Sequence, residues 1–261
     1  MNLNYFHVAA FTPHLFKGNP ACVIPLTSWL EDEVLQAISK ENALPETAFF
    51  VQKANSIQIR WFTPDLEMDL CGHATLAAAH CLKTHLDYKG DTIEFESLSG
   101  RLSVTQKGSF YHLDLPTRLP LVAPFPKVLE QAITPKPSEV LKSRDYVLVY
   151  SNQECIKALH INRVVFDQID LSTGGVVVTA PGEDCDFVSR YFTPQATILE
   201  DPVTGSSHCS LVPYWAKVLG KNQLVAKQLS ERGGELKCYN HGDRVEIAGE
   251  ALTYAQGVIF I

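Results

Sequence analysis

The chain states one pattern twice. Residues 57–64 read Ile57-Gln58-Ile59-Arg60-Trp61-Phe62-Thr63-Pro64, followed by an acidic loop, Cys71-Gly72-His73-Ala74-Thr75 and an alanine-rich apolar run. Residues 187–194 read Phe187-Val188-Ser189-Arg190-Tyr191-Phe192-Thr193-Pro194, followed by a second acidic loop, Asp201-Pro202-Val203-Thr204-Gly205-Ser206-Ser207 and a second apolar run. Phe62 and Phe192 lie 130 residues apart, about half of the 261-residue length. Gly100, Leu102, Val104 and Gly108 are echoed at an offset of 134 by Gly234, Leu236, Cys238 and Gly242. A self-match at one near-constant offset constrains the chain to two similar halves. Paired halves are expected to face each other across a cleft, where small ligands bind.

Composition narrows the classes. With 46% hydrophobic and 20% charged residues there is apolar material for two cores. A net charge of −7 without any basic cluster argues against nucleic-acid binding, and an acidic chain that binds an acidic metabolite must find positive potential locally, as at helix N-termini. The N-terminal segment has no basic region followed by a long apolar run, and no stretch approaches the ~18 apolar residues of a membrane span. Seven scattered cysteines suit reduced thiols better than a disulfide framework, so a cytoplasmic location is expected.

The first ~25 residues alternate as a strand does and turn at Gly18-Asn19-Pro20. Ser28 and Glu31 form a capping-box pattern ahead of Leu30, Val34, Leu35 and Ile38, which predicts an amphipathic helix ending before Pro45. Strands are expected over Thr47–Val51 and before Phe62. Ala74, Leu76, Ala77, Ala78, Ala79 and Leu82 then leave little polar surface on the helix after Gly72, which marks it as buried in a core. Six prolines between residues 116 and 137 suggest the crossing between halves, placed as 1–118 and 119–261, with terminal strands free to cross over. The second half repeats the plan, with Pro213 expected to kink or tighten its helix. The architecture is α+β, each half a curved mixed sheet around one buried helix.

Gly72 and Gly205 open matching helices, where free N–H groups can hold a carboxylate; the alternative is that both glycines only make tight turns. Glu46 lies in an apolar run, as a proton-exchanging carboxyl or a solvated residue at a strand start. His73 and Asp201 flank the two helix starts and form either a His–carboxylate pair or a capping Asp and a core His. Cys71, His73 and His80 match no zinc spacing, so no metal is expected. No Walker or dinucleotide-binding glycine pattern occurs, so no nucleotide cofactor is expected.

Gly18-Asn19-Pro20-Ala21, Pro45-Glu46-Thr47, Asp69-Leu70-Cys71-Gly72-His73-Ala74-Thr75 and Glu200-Asp201-Pro202-Val203-Thr204-Gly205-Ser206 together resemble the PhzF-like family of phenazine biosynthesis, over the whole chain and in the family's order. The resemblance implies the diaminopimelate epimerase fold with two pseudo-symmetric lobes, a cofactor-free isomerase and a homodimer. It further implies a catalytic carboxylate at Glu46, with His73, Asp201 and Ser206 lining the site. Fold relatives that racemise amino acids use one cysteine from each half, and the alignable positions here are Cys71 and Thr204. Threonine cannot replace the second thiol.

The expected activity is movement of a proton and a double bond on a small cyclic or unsaturated carboxylic acid. Glu46 would relay the proton and His73 and Asp201 would hold a polar substituent, while Gly72, Gly205 and Ser206 would bind the carboxylate. Family members in the phenazine pathway isomerise a dihydro-hydroxyanthranilate. The alternatives are an epimerase or racemase using Cys71, and a metabolite-binding protein without catalysis.

Overall fold

Strand Asn2–Ala10 is flanked on one side by Asn19–Leu26 and on the other by Ala251–Phe260, both antiparallel. This pairing decides how the chain divides: one unit comprises Met1–Asp114 with Ala248–Ile261, the other Leu115–Ile247. The boundary lies a few residues before the position the prolines suggest, and the last strand belongs with the first. The structure is a computed structural model that describes residues 1–53 and 56–261. Among these, no helix is long and apolar enough to cross a membrane.

In the first unit, Asn19–Leu26 runs parallel to Glu46–Gln52. Helix Asp32–Asn42 makes the crossover that a parallel pair requires. Glu46–Gln52 pairs antiparallel with Ile57–Phe62, whose start runs parallel to Thr92–Ser97. Between those last two lies helix Gly72–His85, buried at every residue from Gly72 to Leu82. Its run of alanines lets the helix approach the strands Asn2–Ala10, Asn19–Leu26 and Glu46–Gln52 closely.

The second unit repeats the order within itself. Tyr146–Val149 runs parallel to Val176–Pro181, which pairs antiparallel with Phe187–Phe192, and that strand runs parallel to Gln223–Gln228. Each unit also has the same brace beside its short return strand. Arg60 grips both oxygens of Glu67 at 2.7 Å and lies 5.1 Å from the Phe62 ring centroid. Arg190 grips both oxygens of Glu200 at 2.7 and 2.9 Å and lies 5.0 Å from Phe192. Gly108 and Gly242 both close their hairpins in the left-handed region, with φ of 63° and 87°.

Two expectations need correction. The first helix begins at Asp32 with Glu31 in extended backbone and no side-chain cap, so Ser28 is not its capping residue. The segment before it is used to dock Trp29, whose Nε1 donates to Gln58 Oε1 at 3.0 Å and whose ring lies under the Arg60 guanidinium. The second buried helix does not start as an α-helix: Gly205–Ser207 is a 3-10 turn that leads into α-helix His208–Leu219. Pro213 removes one N–H from that helix, and the Cys209 carbonyl four residues earlier accepts the Arg118 N–H instead, at 2.9 Å. The backbone is thus satisfied from outside the helix.

Candidate active site

Glu46 is the first residue of its strand and sits opposite Ala21 in the parallel register. Gly18, two residues upstream of Pro20, has φ +69°, and a Cβ there would lie 2.3 Å from the Ala10 carbonyl oxygen. Only glycine makes that turn, and it delivers Asn19 into a fully buried position. His73 is the second residue of the buried helix, just after Cys71 in extended backbone. Three segments distant in sequence therefore converge.

His73 Nε2 lies 3.1 Å from Glu46 Oε2, with side-chain exposures of 3% and 13%, so the carboxyl retains access to a ligand while the ring does not. The approach is an ion-pair contact and not an aligned hydrogen bond: neither Glu46 Oε2 nor His73 Nε2 has a hydrogen-bond partner. Catalytic pairs are often loosely aligned without substrate. At the other edge of the ring, Nδ1 lies 3.0 Å from Asn19 Nδ2 and 3.6 Å from Cys71 Sγ. A carboxamide can turn its nitrogen or its oxygen toward the ring, so Asn19 suits Nδ1 with or without a hydrogen.

Burial disfavours the His73 imidazolium, but the anionic forms of Cys71 and Glu46 favour it and hold the pKa well above the ordinary imidazole value; with Cys71 a thiol near neutral pH, the Glu46 carboxylate is the counter-charge present there. Burial first, and the neighbouring Glu46 second, push the Cys71 thiol up to about 11. Cys71 is therefore a thiol and not a thiolate near neutral pH. Ligand atoms of Glu46, Cys71 and His73 all lie within 4.8 Å of one another. The set suits an ion poorly, because both imidazole nitrogens already face protein groups and the thiol resists ionisation.

In the second unit, Asp201 Oδ2 accepts the Thr204 hydroxyl at 2.5 Å, and Gln228 Nε2 donates to the Asp201 carbonyl at 2.7 Å. Gln228 Oε1 accepts the Thr204 N–H at 2.9 Å, which fixes the turn ahead of Gly205. The Thr204 carbonyl takes the Ser207 hydroxyl at 2.8 Å and the His208 Nδ1 hydrogen at 2.9 Å. Ser206, 8% exposed, accepts from Arg144 Nη2 at 3.2 Å.

The expected residues are thus placed as follows. Gly72 and His73 open the first buried helix, and Glu46 meets His73. Gly205 and Ser206 form the 3-10 turn, and Asp201 braces it through Thr204. Both nitrogens of His73 are engaged inside the first unit. Asn19, part of the Gly18-Asn19-Pro20-Ala21 motif but given no role from the sequence, carries the contact to His73, and the glycine before it marks a turn built for that position.

The sequence model of the phenazine biosynthesis-like protein family, PhzC-PhzF, matches residues 8–257. An uncharacterized isomerase of Pseudomonas aeruginosa is 46% identical over 260 residues, covering 99% of each chain. A crystal structure of a PhzF-family phenazine biosynthesis protein from Enterococcus faecalis superposes with a TM-score of 0.94 at 43% identity, over 100% of both chains. A hydroxyproline epimerase from Agrobacterium vitis has a TM-score of 0.65 at 9% identity, covering 99% of this chain and 92% of its own. That last likeness shows the fold alone, the diaminopimelate epimerase-like α+β fold. With nearly its whole length matched by the family model, the chain belongs to the phenazine biosynthesis-like family.

Proposed function

We propose that the protein is a cofactor-independent isomerase that shifts a proton, and with it a double bond, on a small carboxylic acid. The observation that carries this reading is the Glu46 carboxyl, partly exposed and 3.1 Å from a buried, readily protonated His73. Glu46 takes the proton from an activated C–H carbon, the electron pair moves along the conjugated system, and Glu46 returns the proton at its far end. The His73 imidazolium holds the carboxyl in place and counters its charge. We assign the substrate carboxylate to Ser206 and the Gly205 turn, with Gly72 N–H as a further donor and Asp201 as a holder of the polar substituent. Relatives named as isomerases support the reaction class. Two-thiol racemisation lacks support, since Cys71 stays protonated and Thr204 is bound to Asp201.

Positioned acid–base groups contribute about 10²–10⁴-fold. A thermal-shift screen with small aromatic and unsaturated acids, followed by ¹H NMR in D₂O, identifies acids that exchange or shift a proton. Glu46→Gln should keep ligand binding and lose nearly all exchange. Exchange at the wild-type rate in that variant refutes the assignment. Light scattering on the eluted protein tests the homodimer that belongs to the same reading, and the seven free thiols suit a reducing, cytoplasmic setting.

A further inference from the structure

We infer that Arg144 is a positioning residue that makes the Ser206 hydroxyl a donor to a carboxylate, an inference that rests on the role assigned to Ser206 above. Arg144 lies in the turn before strand Tyr146–Val149, and its neighbour Asp145 is 2% exposed. Asp145 Oδ1 accepts the Gly175 N–H at 2.9 Å, the Tyr191 hydroxyl at 3.0 Å and Arg144 Nε at 3.1 Å. Asp145 Oδ2 accepts Arg144 Nη2 at 3.2 Å. The other hydrogen of Nη2 goes to Ser206 Oγ, also at 3.2 Å. A guanidinium has donors only, so the serine oxygen must accept from it, and the serine hydrogen is left to point at an acceptor elsewhere. A hydroxyl that already accepts from a cation is a stronger donor, and it favours an anion as its own acceptor.

The surroundings are built for this. A Cβ on Gly175 would lie 2.5 Å from Tyr191 Cζ and Oη, so glycine clears the path by which the phenol reaches Asp145. Ser143 Oγ contacts Ser210 Oγ at 2.7 Å, so the turn carrying Arg144 braces the helix at Ser210 as well as at Ser206. An arginine–aspartate pair with its carboxylate buried is a poor source of stability compared with apolar packing, whereas a carboxylate fixed by Gly175 and Tyr191 that takes both Nε and Nη2 holds the guanidinium in one orientation. Asp145 offsets the Arg144 charge, so what the guanidinium supplies behind the donor is an N–H held in a fixed direction.

The test compares benzoate with its neutral isostere benzamide by ¹H NMR titration of wild type, Ser206→Ala, Arg144→Gln, Arg144→Lys and the double variant Arg144→Gln/Asp145→Asn. The double variant leaves no unpaired buried carboxylate and covers the case in which Arg144→Gln alone fails to fold. Wild type should prefer benzoate, and Ser206→Ala should reduce that preference about tenfold or more. Arg144→Gln and the double variant should lose the same preference although Ser206 remains, and Arg144→Lys should restore part of it. If Ser206→Ala loses the preference while both Arg144→Gln forms keep it, the inference about Arg144 is overturned and the role of Ser206 stands. If wild type shows no preference, or Ser206→Ala keeps it, the role of Ser206 falls and this inference with it.

Discussion

Gly175→Ala is the substitution whose cost can be worked most directly from the structure. The backbone of Gly175 is not left-handed, so the demand there is for space. An added Cβ would sit 2.5 Å from the Tyr191 ring and 2.8 Å from the Phe192 carbonyl oxygen. That carbonyl belongs to a paired strand in register with Val176 and has little freedom, so the ring must move. Overpacking of this kind costs about 1–3 kcal/mol. Moving the ring also takes the Tyr191 hydroxyl from Asp145, and a hydrogen bond to a buried charge is worth about 1.5–3 kcal/mol. Together these give a loss of about 2.5–6 kcal/mol from the second unit. The probe is Trp215, stacked on Phe187 at 5.7 Å, read as its own ¹⁹F signal after 5-fluorotryptophan labelling during urea unfolding. Tyr191→Phe should cost only the hydrogen-bond share. In a Tyr191→Ala background the cost of Gly175→Ala should fall by at least half, because only the Phe192 carbonyl then stands in the way. A loss below about 1 kcal/mol in wild type, or an equal loss in both backgrounds, would show that the ring path is not what requires glycine.

Two further outcomes follow from the titratable groups. Burial, only partly offset by the Thr204 carbonyl, lowers the His208 pKa to about 4, and burial together with His85 lowers that of His80 to about 4. Both values lie below the unfolded imidazole, so the unfolded chain binds more protons between them; stability is complete above about pH 6.5 and falls toward pH 4, by about 3 kcal/mol for His208. His208→Asn, which keeps a donor for the Thr204 carbonyl, should flatten the acid side of a melting-temperature profile, and an unchanged slope refutes it. His73 runs the opposite way, its contribution being present at low pH and lost as pH rises through its elevated folded value. Cys71→Ala should leave solvent-deuterium exchange within about threefold of wild type, since proton transfer by a group this resistant to ionisation is disfavoured; abolition of exchange would favour a thiol mechanism.

The duplication was legible because strand, acidic turn and buried helix each leave a local imprint, and the arginines at 60 and 190 take the same carboxylate brace in both copies. The glycine echo is less regular than the sequence implies: Gly100 is left-handed at φ 94°, but its counterpart in conformation is Gly233, one residue before the aligned Gly234. Ser28 misleads because a capping pattern is local, whereas Trp29 is held by Gln58 and Arg60 from another strand. Glu46 and His73 could be named as candidates from their motifs. The contacts of Asn19 with His73 and of Arg144 with Ser206 join residues 54 and 62 apart and fall on no local periodicity. Such partners become visible only when the register of the strands is known.

The return of Ala251–Phe260 to Asn2–Ala10 sets an order of events during synthesis. Every strand that lies wholly within the second unit is synthesised before Ala251–Phe260, the second neighbour of Asn2–Ala10. The inserted unit can consolidate early from contacts within one continuous stretch. The enclosing unit must hold an open hydrogen-bonding edge until translation reaches the last strand, and an open edge is a template for pairing with other nascent chains. Loss of the final ten or so residues would therefore harm solubility far more than their small share of the mass implies.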